Sequence, residues 1–153
     1  MYIFSLDNED IKKFMNLLLR ETAFDVFRVH SGEITTCCTF KIDGAVNKDF
    51  FEEAPTGGRC PWSTLRPVVF GMIKGKRLPK LFKLVLAVPE DKLPLLHENC
   101  KEAFLNINYE NGKISFVTGT MQKEFSMDKA QDEAFENYIK KLFKKLELTA
   151  ISL

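Results

Sequence analysis

The clearest chemical feature of the sequence is a basic segment that contains no acidic residue. Between Ala54 and Pro89 there is no aspartate or glutamate, and the formal net charge of the whole chain is only +1, so the rest of the chain is acidic. Clustered cations attract polyanions and release counterions from a phosphate backbone. We therefore expect this basic segment to contact nucleic acid or an acidic protein surface. Its cations are Arg59, Arg66, Lys74, Lys76, Arg77, Lys80 and Lys83.

Trp62 lies within the basic segment and is a candidate stacking group for a base. A structural interpretation competes, because cations after a helix stabilise its exposed carbonyl groups and a lone tryptophan often fills a core. The sequence pI of about 7.6 is also modest for a nucleic-acid-binding protein. The leading hypothesis is a non-enzymatic binding or scaffolding protein, and a protein-interaction module without a nucleic-acid role is the alternative.

A thiol-dependent enzyme is the rival hypothesis, and it rests on Cys60. This cysteine follows Arg59 in a loop-like stretch, GGRCPW, where a neighbouring cation can lower a thiol pKa. His30 or His97 would have to supply the base. The spacing of these residues matches no known triad signature, so a catalytic role for Cys60 is the weaker interpretation.

The remaining composition argues against metal, cofactor and membrane functions. The four cysteines form no C-x-x-C pair and the chain has two histidines, which is too few ligands for a zinc site. Cys37 and Cys38 are adjacent in a predicted strand, so their side chains should point to opposite faces. No apolar run approaches the roughly 20 residues needed to span a bilayer, and the start of the chain does not resemble a signal peptide. We expect a cytoplasmic protein with reduced thiols.

Apolar periodicity and turn residues predict an α+β fold with an antiparallel sheet. Tight turns are expected at Ser31-Gly32, Asp43-Gly44 and Asn111-Gly112, and Pro67 is expected in the first turn of its helix. The predicted helices cover 8–20, 63–74, 89–99 and 128–146, and the predicted strands cover 2–6, 24–30, 33–42, 45–51, 81–88, 103–109, 113–119 and 123–127.

The two halves of the chain share a pattern of strand, helix and three strands. This similarity predicts a duplicated β-α-β-β-β unit within a single domain, 1–153. The halves would be 1–51 and 82–127, with a connector and its helix at 52–81 and a C-terminal helix at 128–146. In this alignment Tyr2, Phe4, Leu6, Ile11, Gly32 and Ile34 match Leu84, Leu86, Val88, Leu93, Gly112 and Ile114.

The second half resembles a DNA sliding-clamp domain. FKLVLAVPEDKLPLL followed by LNINYENGKISFVTGTMQKEFSM is similar to the opening of a bacterial clamp domain. The resemblance implies a clamp-like fold. Ring formation does not follow from it, because the chain has an added connector helix and its 89–99 helix lacks a basic face.

The whole chain also resembles a family of small uncharacterised bacterial proteins. The segments FDVFRVHSGEITTCCTFKIDGAVNKDFF, WSTLRP, GKRLPKLFK and NGKISFVTGT are similar to segments that occur in that order in the family. This resemblance implies no activity. The partner and the oligomeric state stay open at this point.

Overall fold

The computed structural model describes residues 1–75 and 77–153 of the chain. The described residues form an α+β fold, as expected, with four α-helices and a seven-stranded sheet. The helices are α1 (Asn8–Leu19), α2 (Trp62–Ile73), α3 (Leu93–Leu96) and α4 (Ala130–Lys145), and 3₁₀ turns cover Lys48–Phe50 and Glu90–Lys92. The strands are β1 (Ile3–Leu6), β2 (Arg28–Thr35), β3 (Thr39–Ile42), β4 (Leu81–Ala87), β5 (Cys100–Glu110), β6 (Lys113–Gln122) and β7 (Ala150–Ser152).

All neighbouring strands pair antiparallel, in the spatial order β3-β2-β4-β5-β6-β1-β7. One face of this sheet carries the core. In β4, for example, Phe82, Leu84 and Leu86 are buried, whereas Lys83 is exposed on the other face. The buried apolar residues of all four helices belong to the same apolar cluster as the inward residues of the strands, so the helices pack on that one face.

The opposite face of the sheet, which we call the open face, lies outside this apolar cluster. Its side chains are mostly half-buried or exposed, as the alternation of an antiparallel sheet requires when one face meets solvent. Strand register aligns one row of polar side chains across it: Lys41, Glu33, Lys83, Asn108, Ser115 and Ser5.

The predicted hairpin turn at Ser31-Gly32 is wrong. β2 runs through both residues, and the turn to β3 is formed by residues 36–38, which also places Cys37 and Cys38 in an exposed turn rather than in a strand. A β-bulge between Val29 and Ser31 lets both Val29 and Ile34 face the core despite their odd spacing. Periodicity from sequence cannot anticipate such a shift.

The strands predicted over 45–51 and 123–127 are also wrong. Residues 45–51 form an isolated bridge from Ala45 to Arg59 and then the first 3₁₀ turn, although the turn expected at Asp43-Gly44 is present with a positive φ at Gly44. Residues 123–127 form a loop. In contrast, the tight turn at Asn111-Gly112 is confirmed, with both residues at positive φ as a type I′ hairpin requires.

Pro67 lies inside α2 rather than in its first turn, because the helix begins at Trp62. Proline removes one hydrogen bond to the preceding turn, and the carbonyl that loses it belongs to Ser63, which is exposed and can be hydrated. The helix therefore continues to Ile73.

The two halves occupy different positions in the sheet. β1 lies between β6 and β7, whereas its predicted counterpart β4 lies between β2 and β5. Each half contributes a strand, a helix and a hairpin, but the third strand predicted after each helix is replaced by irregular structure. The duplication and the clamp-like arrangement stay predictions. No helix in the described part of the chain is long and apolar enough to cross a membrane.

Candidate anion-binding surface

The described cations of the basic segment separate into two groups in the structure, and Lys83 in β4 belongs to neither. One group lies in the connector between α2 and β4, residues 74–80, which we call the basic connector. Its described cations, Lys74, Arg77 and Lys80, are exposed, and none of them takes part in an ion pair among the described residues. Lys76, a fourth predicted cation, lies outside the described residues.

Both ends of the basic connector are held by main-chain hydrogen bonds. The Lys74 N–H donates to the Phe70 carbonyl at 2.8 Å as α2 ends, and the Lys80 N–H donates to the Thr35 carbonyl at 2.9 Å beside the β2–β3 turn. Between them Pro79 is buried, whereas Leu78 is 79% exposed. The connector therefore presents its cations from a backbone fixed at both ends.

The helix dipole explains only part of this charge. Lys74 immediately follows α2 and is well placed to stabilise its terminal carbonyls. Arg77 and Lys80 lie beyond the last turn, and the effect of a helix terminus falls off within that turn. These two cations have no comparable structural role in the described residues.

Arg66 belongs to the second group, whose charge is already neutralised. Its Nε and Nη2 donate to the two carboxylate oxygens of Asp25, each at 3.0 Å. The pair is about one fifth exposed on both sides. Such bidentate pairs are among the stronger polar contacts in proteins, so Arg66 serves to join α2 to the loop before β2.

Arg59 is also paired. Its Nη2 donates to Glu102 Oε1 at 2.9 Å, and its guanidinium carbon lies 5.3 Å from the centre of the Phe104 ring. The side chain thus crosses onto one end of the open face and is held there by charge and by a cation–π contact.

Lys83 lies on the open face, in β4. Its cross-strand neighbours are Glu33 on one side and Asn108 on the other. Opposite charges directly across a strand pair attract one another, so Glu33 reduces the field that Lys83 presents. Within the basic segment, the described cations that have neither a carboxylate partner nor an acidic cross-strand neighbour are Lys74, Arg77 and Lys80 of the basic connector.

Trp62 offers no stacking surface, although the sequence made it a candidate. It is fully buried, and its Nε1 donates to the Leu18 carbonyl at 3.0 Å. The indole therefore joins the start of α2 to α1 inside the core, as the competing structural interpretation proposed.

Cys60 is buried and is poorly suited to act as a nucleophile. Burial raises the pKa of its thiol, and the nearby Arg28 guanidinium only partly offsets this effect. His30 packs against the Phe104 ring, with centroids 5.1 Å apart, and His97 accepts a hydrogen bond at Nδ1 from the Asn99 N–H. No described hydrogen bond joins either imidazole to the Cys60 sulfur. The geometry does not favour a thiol-dependent enzyme.

Across the part of the chain that the structure describes, no group of three or more His, Cys, Asp or Glu residues is arranged to hold a metal ion.

Sequence reasoning did not single out Arg28, a cation on the open face. It lies between Phe27 and Val29, which are both buried, so strand alternation could have directed its side chain away from the core. Because Arg28 lies outside the basic segment, the charge pattern of the sequence did not mark it.

Comparison with curated proteins and with solved structures finds no match. A family model does match, over residues 16–150, and this confirms the resemblance to an uncharacterised family that the sequence suggested. Since the match spans most of the chain, the protein belongs to a family of unknown function (DUF5721).

Proposed function

We propose that this protein is a non-enzymatic binding protein that contacts an anionic partner through the basic connector. The main support for this proposal is that some cations of the basic segment are paired with carboxylates, whereas those of the basic connector are not. Arg59 and Arg66 are each bound to a carboxylate at about 3 Å, whereas Lys74, Arg77 and Lys80 are exposed without an acidic partner among the described residues. Unpaired cations on a fixed backbone attract an anion without first breaking an internal ion pair.

Nucleic acid is the partner that we propose first. The support is the resemblance of residues 82–127 to a sliding-clamp domain, together with cations close in sequence that can follow a phosphate backbone. The predicted duplication belongs to the same proposal. Fold likeness alone does not determine function, so the proposal depends on the basic connector.

Charge reversal in the basic connector tests the proposal. The variant carries Lys74→Glu, Arg77→Glu and Lys80→Glu. Its affinity for a fluorescein-labelled single-stranded DNA of about 30 nucleotides is compared with the wild type by fluorescence anisotropy between about 50 and 200 mM salt. We expect at least a tenfold loss of affinity and a shallower dependence of log affinity on log salt, by roughly 0.7 for each phosphate that the variant no longer neutralises.

The matched control reverses three exposed lysines on other elements, with Lys12→Glu, Lys101→Glu and Lys123→Glu. It changes the net charge by the same amount. If both variants lost DNA affinity equally, the loss would come from net charge and not from the basic connector. If the connector variant bound DNA as the wild type does, the proposal would be rejected.

A protein partner is the second candidate, and the loop at 123–127 favours it. Phe125 and Met127 are 87% and 85% exposed. The Asn99 amide holds Glu124 through two hydrogen bonds of 3.0 Å, and the Gln122 amide holds Ser126 through two of 3.1 Å. Apolar side chains displayed from a restrained loop suit an apolar pocket on another protein, because little conformational entropy is lost on binding. DNA binding that survives in a Phe125→Ser, Met127→Ser variant would separate this loop from the basic connector.

A further inference from the structure

Among the described residues, two buried side-chain polar atoms have no hydrogen-bond partner, one on Asn108 and one on Arg28, and only the Arg28 atom belongs to a charged group. This atom is Nη1 of Arg28, which is inaccessible to solvent. Burying a charged donor without an acceptor costs more free energy than burying an unpaired neutral group. The described residues therefore leave this donor of Arg28 unsatisfied.

The cleft that Arg28 lines has a volume of about 280 Å³. Its walls are the loop 56–59 and the segment 88–91. Pockets for drug-sized ligands begin at about 300 Å³, so this cleft suits a small molecule or the end of a chain. In the loop, Gly58 has open space where a side chain would begin, so packing within the protein does not require glycine there. Gly57 also has open space, but its φ of +87° favours glycine.

A second arginine, Arg59, lines the same cleft. Its pairing with Glu102 uses one Nη2 hydrogen bond, and a guanidinium has five donors, so the orientation is fixed while donors are left over. Two guanidinium groups in one cleft are a ready site for a carboxylate or phosphate.

The segment 88–91 adds charge of the opposite sign. Glu90 and Asp91 line the cleft and are exposed. Neither forms an ion pair of 4 Å or less with Arg28 or Arg59 among the described residues. A ligand with several negative charges would be repelled by these two carboxylates, whereas a ligand with one anionic and one cationic group satisfies both sets of charges.

We propose that this cleft binds a small zwitterion of the amino acid or short peptide class. The carboxylate lies at Arg28 and Arg59, and the ammonium lies toward Glu90 and Asp91. This site is separate from the basic connector and does not depend on the function proposed for it.

The test measures the thermal unfolding midpoint of the full chain with a panel of the free amino acids and glycyl dipeptides, followed by titration of any that stabilise it. A true zwitterion site is stabilised by at least one free member of the panel. It loses at least tenfold in affinity when the same compound is N-acetylated, which removes the cation, or methyl-esterified, which removes the anion. No stabilisation by any member overturns the proposal, and so does equal binding of inorganic phosphate or acetate, which would make this a simple anion site.

Variants assign the two ends of the ligand. Arg28→Gln should weaken binding of the free compound at least tenfold. Because Arg28 is partly buried, its loss could impair folding, so a second variant carries Glu90→Gln and Asp91→Asn at exposed positions. It should weaken binding of the free amino acid while leaving the N-acetylated compound unchanged. Glu98→Gln is the control, since Glu98 is exposed and outside the cleft. Equal affinity in the Glu90/Asp91 variant and the control would overturn the assignment of the ammonium position.

Discussion

At the scale of single residues, basic residues that cluster in sequence do not all form a basic surface. The partners of Arg66 and Arg59 are 41 and 43 residues away in the chain. A scan of neighbouring residues cannot detect acids at that separation. Two of the seven cations of the basic segment are thereby paired, and the described cations of this segment that are exposed and in no ion pair are Lys74, Arg77, Lys80 and Lys83.

The reactivity of the cysteines gives a prediction at this scale. In the native protein, iodoacetamide should modify the exposed Cys37 before the buried Cys60. Burial both blocks access and raises the pKa of the Cys60 thiol, so less thiolate is present at pH 8, and its rate should still be rising above pH 9. Peptide mapping by mass spectrometry measures the two rates.

Urea-unfolded protein is the control for the cysteine experiment, because both thiols should then react at similar rates. If Cys60 reacted faster than Cys37 in the folded protein, the thiol-enzyme hypothesis would return.

At the scale of elements, two glycines predict opposite effects of the same substitution. Gly44 has φ of +71°, and a Cβ there would lie 2.3 Å from the Val29 carbonyl oxygen. Gly71 lies within α2, and a Cβ there would meet no atom within 4 Å. We expect Gly44→Ala to lower the free energy of unfolding by about 1–3 kcal/mol or more, and Gly71→Ala to raise it by about 0.5–1 kcal/mol.

Urea denaturation monitored by circular dichroism compares these two variants with the wild type. Each serves as the control for the other, because both add a single methyl group. If Gly44→Ala were as stable as wild type, the close approach of the 43–45 turn to β2 would be wrong.

The loop at 123–127 shows why one predicted element was wrong. Its sequence, KEFSM, alternates polar and apolar residues as a strand does. The hydrogen bonds that a neighbouring strand would make are supplied to Glu124 and Ser126 by the side-chain amides of Asn99 and Gln122. Alternation predicts which side chains share a face, but it cannot say whether a strand or a side chain pairs with the backbone.

At the scale of the whole molecule, the core is a phenylalanine cluster on one face of the sheet. Phe116 is fully buried, and its ring contacts those of Phe4, Phe14 and Phe143 at centroid distances of 4.8–5.1 Å. These rings come from two adjacent strands and two helices, so one substitution there affects several elements together.

A pair of phenylalanine substitutions tests this arrangement. Phe116→Ala should lower the free energy of unfolding by about 3–5 kcal/mol, because it leaves a cavity among the rings. Phe125→Ala, at an 87% exposed position, should change it by no more than about 0.5 kcal/mol. Urea denaturation of both variants gives the difference, and comparable losses would mean that the loop at 123–127 is packed rather than displayed.

The sequence by itself determined the α+β class, the helices α1, α2 and α4 within two residues at each end, and the hairpin at Asn111-Gly112. It did so because apolar periodicity and the φ preference of Asn-Gly are local properties. The helix expected over 89–99 is a 3₁₀ turn followed by the four residues of α3. The bulge in β2 and the continuation of this strand through Ser31-Gly32 could not be predicted from local sequence, because they depend on which residues pair across the sheet.

Only the tertiary structure decided which cations are free, that Trp62 is in the core and that Arg28 lines a cleft. Each of these facts depends on residues far apart in the chain. Charge and burial at a site are sums over neighbours in space. The sequence therefore predicted only a type of partner from charge, whereas the fold determined which of the cations remain exposed.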